Sequence, residues 1–102
     1  MKEIKTHEDL KEALNQTRSV VMYAKPDCLH CTIVRNCVES IERHFPLIGF
    51  YFTEDINMPV SQRLNAFPVL VMYENGVEQG RLVGSKYITK IRDLLNLWFL
   101  KD

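Results

Sequence analysis

The chain has no excess of charge of either sign: thirteen Lys and Arg face thirteen Asp and Glu, for a formal net charge of zero. With no basic surplus to displace phosphate counterions, the composition gives no support to nucleic-acid binding. No apolar run approaches the ~20 residues that a membrane-spanning helix needs, so no membrane segment is expected. The N-terminal Met1-Lys2-Glu3-Ile4-Lys5 lacks the apolar stretch and small-residue cleavage site of a signal peptide, and a cytosolic protein is the expectation. There is no linker, repeat or low-complexity stretch. Cysteine is scarce and odd in number, three in 102 residues. In a reducing compartment that argues against a structural disulfide framework and for catalytic or metal-binding thiols. What remains is an apolar content of 46% in a chain long enough to bury a core, read as one domain over residues 1–102.

Two of the three cysteines stand together in Cys28-Leu29-His30-Cys31, after the apolar run Val20-Val21-Met22-Tyr23 and before a segment of helical periodicity. If a helix begins at the first cysteine, one sulfur sits over its free N–H groups, where the positive end of the helix dipole favours a thiolate. The second sulfur is one turn further on, close enough to close a small disulfide. Such a pair is a two-electron redox device, or else half of a metal site.

The periodicities alternate. Thr6 is placed to cap a first helix, with Asp9 three residues later and Leu10, Ala13 and Leu14 on its apolar face. Residues 19–23 read as a strand buried on both faces. The next helix is predicted from Cys28 or Cys31 to Phe45, with Val34, Cys37, Val38, Ile41 and Phe45 on one stripe and Pro46 ending it. A second buried strand spans 48–52. Residues 55–66 are irregular, with one helical turn near 61–64. Asn75-Gly76 supplies the positive φ angles of a tight turn between strands 69–73 and 77–83. Ser85 is placed to cap a last helix whose stripe is Ile88, Ile91, Leu94, Leu95 and Trp98. With a short edge strand at 2–5 the order is β-α-β-α-β-α-β-β-α. The early alternation implies parallel strands with helices on both faces, and the late hairpin makes the sheet mixed.

Three features now stand in fixed order: the cysteine pair at a strand-to-helix junction, Phe67-Pro68-Val69 directly before a strand, and Glu74-Asn75-Gly76 with Val83-Gly84 after it. Together they resemble the thioredoxin family over essentially the whole chain. The resemblance implies an α/β thioredoxin fold, with a central mixed sheet of four to five strands flanked by helices on both faces. It implies a thiol-disulfide oxidoreductase with no cofactor, acting on protein disulfides and fed by a thioredoxin-reductase-like or small-thiol electron donor. It makes Cys28 the exposed nucleophile and Cys31 the resolving thiol. It makes Pro68 a cis residue beside the pair, forming with Phe67 a platform for an extended substrate.

The chain also departs from the family pattern. Asp27 precedes the pair where Trp is usual, and Leu29 and His30 fill it in place of Gly-Pro. Met22 stands where a buried acid is usual, six residues before Cys28. Phe67 replaces a small or β-branched residue, Asn36 is the nearest counterpart of a helix proline, and the loop before Pro68 is shortened.

Each residue carries a plainer reading beside the functional one. His30, protonated, would stabilise a neighbouring thiolate and raise the reduction potential; otherwise it is a solvated loop histidine. Asp27 opposes the thiolate by like charge, or caps the helix. Lys25 offsets that charge or is a surface lysine. Met22 cannot relay a proton, so water or another group must, and it is otherwise core. Cys37 is read as a small core residue rather than a third redox centre. Phe67 contacts substrate or fills the space of the shortened loop. Trp98 is a core or rim residue. His7 and His44 have no ligand spacing and read as surface, so no metal site is assigned. Two rivals remain to the oxidoreductase: a metal or iron–sulfur module built on Cys28 and Cys31, and a redox-inactive thioredoxin-like adaptor using the Phe67-Pro68 surface.

Overall fold

A computed structural model describes residues 1–84 and 88–99. Its strands are β1 (Lys2–Glu3), β2 (Arg18–Tyr23), β3 (Gly49–Thr53), β4 (Val69–Glu74) and β5 (Val77–Val83). Its helices are α1 (His7–Leu14), α2 (Leu29–Ile41) and α3 (Ile88–Phe99). The five strands form one sheet in the order β1-β3-β2-β4-β5. The β1–β3 and β2–β3 pairs are parallel, and the β2–β4 and β4–β5 pairs are antiparallel. The central strand β2 is apolar because both its faces are covered. Val20 and Met22 point to one face, and Val21 and Tyr23 to the other.

The first face packs against α2 and α3. Val34, Val38 and Ile41 of α2 and Ile91 and Leu95 of α3 join Val20, Met22, Phe50, Phe52, Leu70 and Met72 in one buried cluster. Burying one such side chain contributes about 1.5–3 kcal/mol. The second face carries α1 through Ala13, with Leu10 and Leu14 half-buried beside Val21, Tyr23, Tyr51, Met58, Val71 and Tyr73. Helices therefore lie on both faces of the sheet. Trp98 packs at the rim of the first cluster, where Gly80 of β5 makes room for it. A Cβ added to Gly80 would come within 2.7 Å of the indole.

Local chemistry explains most boundaries. Thr6 caps α1: its hydroxyl accepts the Asp9 N–H at 3.1 Å, and the Asp9 carboxylate accepts the Thr6 N–H at 3.1 Å and the Lys5 N–H at 2.9 Å. Asn75 and Gly76 take φ of 52° and 79°, the paired positive angles of a two-residue hairpin turn. Helix α2 is shorter than its stripe predicts. It ends at Ile41, and Glu42–His44 tighten into a 3-10 turn. Phe45 leaves the helical region (φ −128°, ψ 65°), because Pro46 crowds an α conformation in the residue before it. The α element expected between β3 and β4 is only the 3-10 turn Ser61–Arg63, closed by an extended Leu64. Strand β3 is shifted by one residue from its expected span and runs to Thr53. The expected cap of α3, Ser85, lies outside the described residues, as does the side chain of Ile88.

No helix among the described residues is long and apolar enough to cross a membrane.

Candidate functional site

Strand β2 ends at Tyr23, and Ala24 continues its pairing by donating its N–H to the Thr53 carbonyl at 2.9 Å. Lys25, Pro26 and Asp27 then run exposed over the C-terminal edge of the sheet. Asp27 takes a left-handed φ of 54°, a region that Asp tolerates better than most residues. This corrects the alternative in which Asp27 caps α2. The N-cap is Cys28, in extended backbone, and its sulfur accepts the Cys31 N–H at 3.1 Å. The Cys28 carbonyl takes the Thr32 N–H at 3.1 Å as the helix opens. A cysteine thus does the work usually given to Ser, Thr or Asp.

Cys28 and Cys31 form a disulfide with Cα atoms 5.2 Å apart. The two sulfurs differ in access. Cys28 is half-buried at the surface, whereas Cys31 is 4% exposed and belongs to the core under α2. Between them Leu29 is 72% exposed and His30 is exposed. Lys25 and Asp27 are both exposed and share no ion pair among the described residues. Cys37, the free thiol, is half-buried against the core at the other end of α2. His7 and His44 are exposed. Among the described residues no group of three or more His, Cys, Asp and Glu side chains is arranged to hold a metal ion.

The Phe67–Pro68 peptide bond is cis, as the resemblance implies. Pro68 is buried, and its carbonyl accepts the Gly84 N–H at 2.8 Å. Val69, the next residue, pairs with Tyr23 on one side and Val83 on the other. Pro68 therefore stands at the same end of the sheet as the loop that carries Cys28. Phe67 is half-buried and packs against both apolar clusters, so a large part of its ring fills space.

One part of the site was not visible in the sequence. A small open cleft lies beside Cys31, lined by Met22, Ala24, Thr32, Arg35, Phe52 and Glu54. Met22 and Phe52 face each other across β2 and β3, both buried and apolar. The Arg35 guanidinium lies over the Phe52 ring, 3.8 Å from its centroid. The four-residue step from Cys31 to Arg35 puts both on one side of a helix and was a usable signal for Arg35. Nothing in the local sequence around Glu54 pointed to α2.

No family model and no curated protein sequence matches the chain. Solved structures do. A Plasmodium falciparum thioredoxin superimposes with a TM-score of 0.84 at 14% identity, covering 96% of this chain and 99% of that one. A Fasciola hepatica thioredoxin gives 0.82 at 22%, over 96% and 99% of the two chains. Chlamydomonas reinhardtii thioredoxin f2 gives 0.83 at 14%, over 100% and 99%. At these identities the likeness is one of fold, and the chain has the thioredoxin fold.

Proposed function

We propose that this thioredoxin-fold chain is a thiol-disulfide oxidoreductase that exchanges its Cys28–Cys31 pair with the disulfides of other proteins. One observation carries the proposal. The pair closes at the N-terminus of α2, with the half-buried Cys28 sulfur accepting the Cys31 N–H and Cys31 itself buried one turn inward. That amide donor and the helix dipole both favour charge on Cys28, which makes it the better nucleophile near neutral pH.

The reduced protein acts in two exchanges. The Cys28 thiolate attacks one sulfur of a substrate disulfide, forms a mixed disulfide and expels the other substrate sulfur as a thiolate. Cys31 then gives up its proton and attacks Cys28. The Cys28–Cys31 bond forms, the mixed bond breaks, and the second substrate sulfur leaves with the electron pair. The substrate is reduced by two electrons and the protein oxidised by two. An electron donor, either a thioredoxin-reductase-like protein or a small thiol, returns the pair to the dithiol. The cytosol, where thiols are kept reduced, suits a chain with three cysteines and no disulfide framework.

His30 and Asp27 flank Cys28 with opposite tendencies: a protonated imidazole supports the thiolate and a carboxylate opposes it. Lys25, on the same exposed loop, adds a positive charge nearby. The edge at Phe67 and Pro68 is where an extended substrate segment lies during exchange.

Reduction of insulin disulfides by dithiothreitol tests the proposal. The wild-type chain should accelerate the reaction, and Cys28→Ser should not exceed dithiothreitol alone. Equal rates with and without the wild-type chain would leave the adaptor reading. Bound zinc or visible cluster absorbance in the purified chain, without acceleration, would favour the metal module.

A further inference from the structure

The resolving step needs a place for the Cys31 proton, and the nearest core offers none. Cys31 is buried against side chains that neither accept nor donate one: Met22 and Phe52 lie opposite each other in register on β2 and β3, and Ala24 completes that wall. The remaining wall of the same cleft is polar. Thr32 and Arg35 come from α2, and Glu54 follows directly after β3. Among the described residues Arg35 and Glu54 are the only charged ones lining it, and Glu54 is exposed, so the cleft opens from a buried sulfur to solvent past a carboxylate. His30 neighbours Cys31 in sequence but does not line the cleft. Arg35 is pinned between the Phe52 ring at 3.8 Å and Glu39, Nε to Oε2 3.7 Å, which leaves the Glu54 carboxylate without an ion pair among the described residues. The cleft's roughly 30 Å3 of water-accessible space holds about two waters, at about 10–15 Å3 for each.

We propose that this cleft is the proton route of Cys31, with Glu54 the acceptor through water and Arg35 the charge that holds the Cys31 thiolate. The inference rests on the assignment of Cys31 as the resolving thiol. The Cys31 S–H bond breaks and its proton passes through water to the Glu54 carboxylate. The freed electron pair forms the bond to Cys28, the mixed disulfide breaks, and the departing substrate thiolate takes a proton from solvent or from protonated Glu54. Arg35 favours the charged form of Cys31 during this transfer because its position is fixed on Phe52 rather than free in solvent. Glu54 and Arg35 act on Cys31 from outside the sulfur pair and are positioning residues for its chemistry.

Single-turnover mixing of the reduced protein in excess with 5,5'-dithiobis(2-nitrobenzoate) separates the two exchanges. The first burst of coloured thiolate reports attack by Cys28 and the second reports resolution by Cys31. Glu54→Gln should leave the first phase unchanged and slow the second severalfold near neutral pH. The deficit should close as pH rises past the ordinary thiol range, about 8.5, where hydroxide replaces the carboxylate. Arg35→Met should move the pH midpoint of the second phase upward. Glu54 is exposed and Arg35 half-buried, and an unchanged far-ultraviolet circular dichroism spectrum checks the fold. A second phase in Glu54→Gln that matches the wild type at every pH, or is slowed equally at every pH, overturns the inference. A first phase that persists undiminished in Cys28→Ser overturns instead the assignment of the two thiols.

Discussion

The Cys31 N–H donates to the Cys28 sulfur at 3.1 Å, so one cysteine of the disulfide caps the helix that buries the other. Capping ties the chemistry of Cys28 to the integrity of α2. Anything that unwinds the first turn removes the donor and the dipole that favour its thiolate together.

His30 sits exposed in that first turn, between the two sulfurs in sequence. Replacing it with Pro removes a group able to carry positive charge beside the thiolate. His30→Pro is expected to raise the thiol pKa of Cys28 and to make the couple more reducing, by about 30 mV for each tenfold change in its equilibrium with glutathione. Equilibration against glutathione buffers measures this. An unchanged potential would make His30 a surface residue only.

The hydroxyls of Tyr23 and Tyr73 meet at 2.8 Å inside the α1 face of the sheet. Burial pushes both phenols above their ordinary range, and for Tyr23 the neighbouring Tyr73 adds to it. A phenol whose folded pKa is raised supports the fold fully below its unfolded value of about 10, and the support is lost as pH rises beyond it. The protein should therefore lose stability in alkali through these two residues. Tyr23→Phe leaves the Tyr73 hydroxyl buried without this partner and should cost about 1–3 kcal/mol, and Tyr23→Phe with Tyr73→Phe should recover part of that. Denaturant unfolding of the single and double variants reads both effects.

At the other end of the pH range the α1 cap is the sensitive element. The Lys5 N–H, followed by the Thr6 backbone and hydroxyl, holds the Asp9 carboxyl below its ordinary value. A lowered folded pKa gives stability that is present above the unfolded value and lost as pH falls through the folded one. Asp9→Asn should flatten this acid-side loss, and Thr6→Ala should weaken α1 by about 1 kcal/mol at neutral pH. Amide exchange along α1 at pH 7 and near the carboxylate range distinguishes the two.

Sequence alone disclosed features whose physics is local. The Thr6–Asp9 box, the Asn75-Gly76 turn, the double burial of β2 and the cysteine spacing all follow from residues within a few positions of one another. It misjudged the end of α2, where the apolar stripe continues to Phe45 although Pro46 forbids the helix to follow. It also offered Asp27 as a cap, which the backbone refused by turning Asp27 left-handed and handing the role to Cys28. The cleft was out of reach for a different reason. Glu54 lines one cleft with Arg35 and Cys31 because β3 lies beside β2 with Met22 opposite Phe52, a register that no single segment encodes.

The division of labour between the two cysteines is the centre of this account, and trapping of mixed disulfides tests it most directly. Cys31→Ser and Cys28→Ser variants are incubated with oxidised substrate proteins, and the covalent adducts are resolved on non-reducing gels. Cys31→Ser should accumulate adducts that dithiothreitol releases, because its Cys28 attacks and nothing resolves the product. Cys28→Ser should accumulate none or far fewer, because Cys31 is 4% exposed. Equal trapping by both variants would contradict the assignment of Cys28 as nucleophile and Cys31 as resolving thiol.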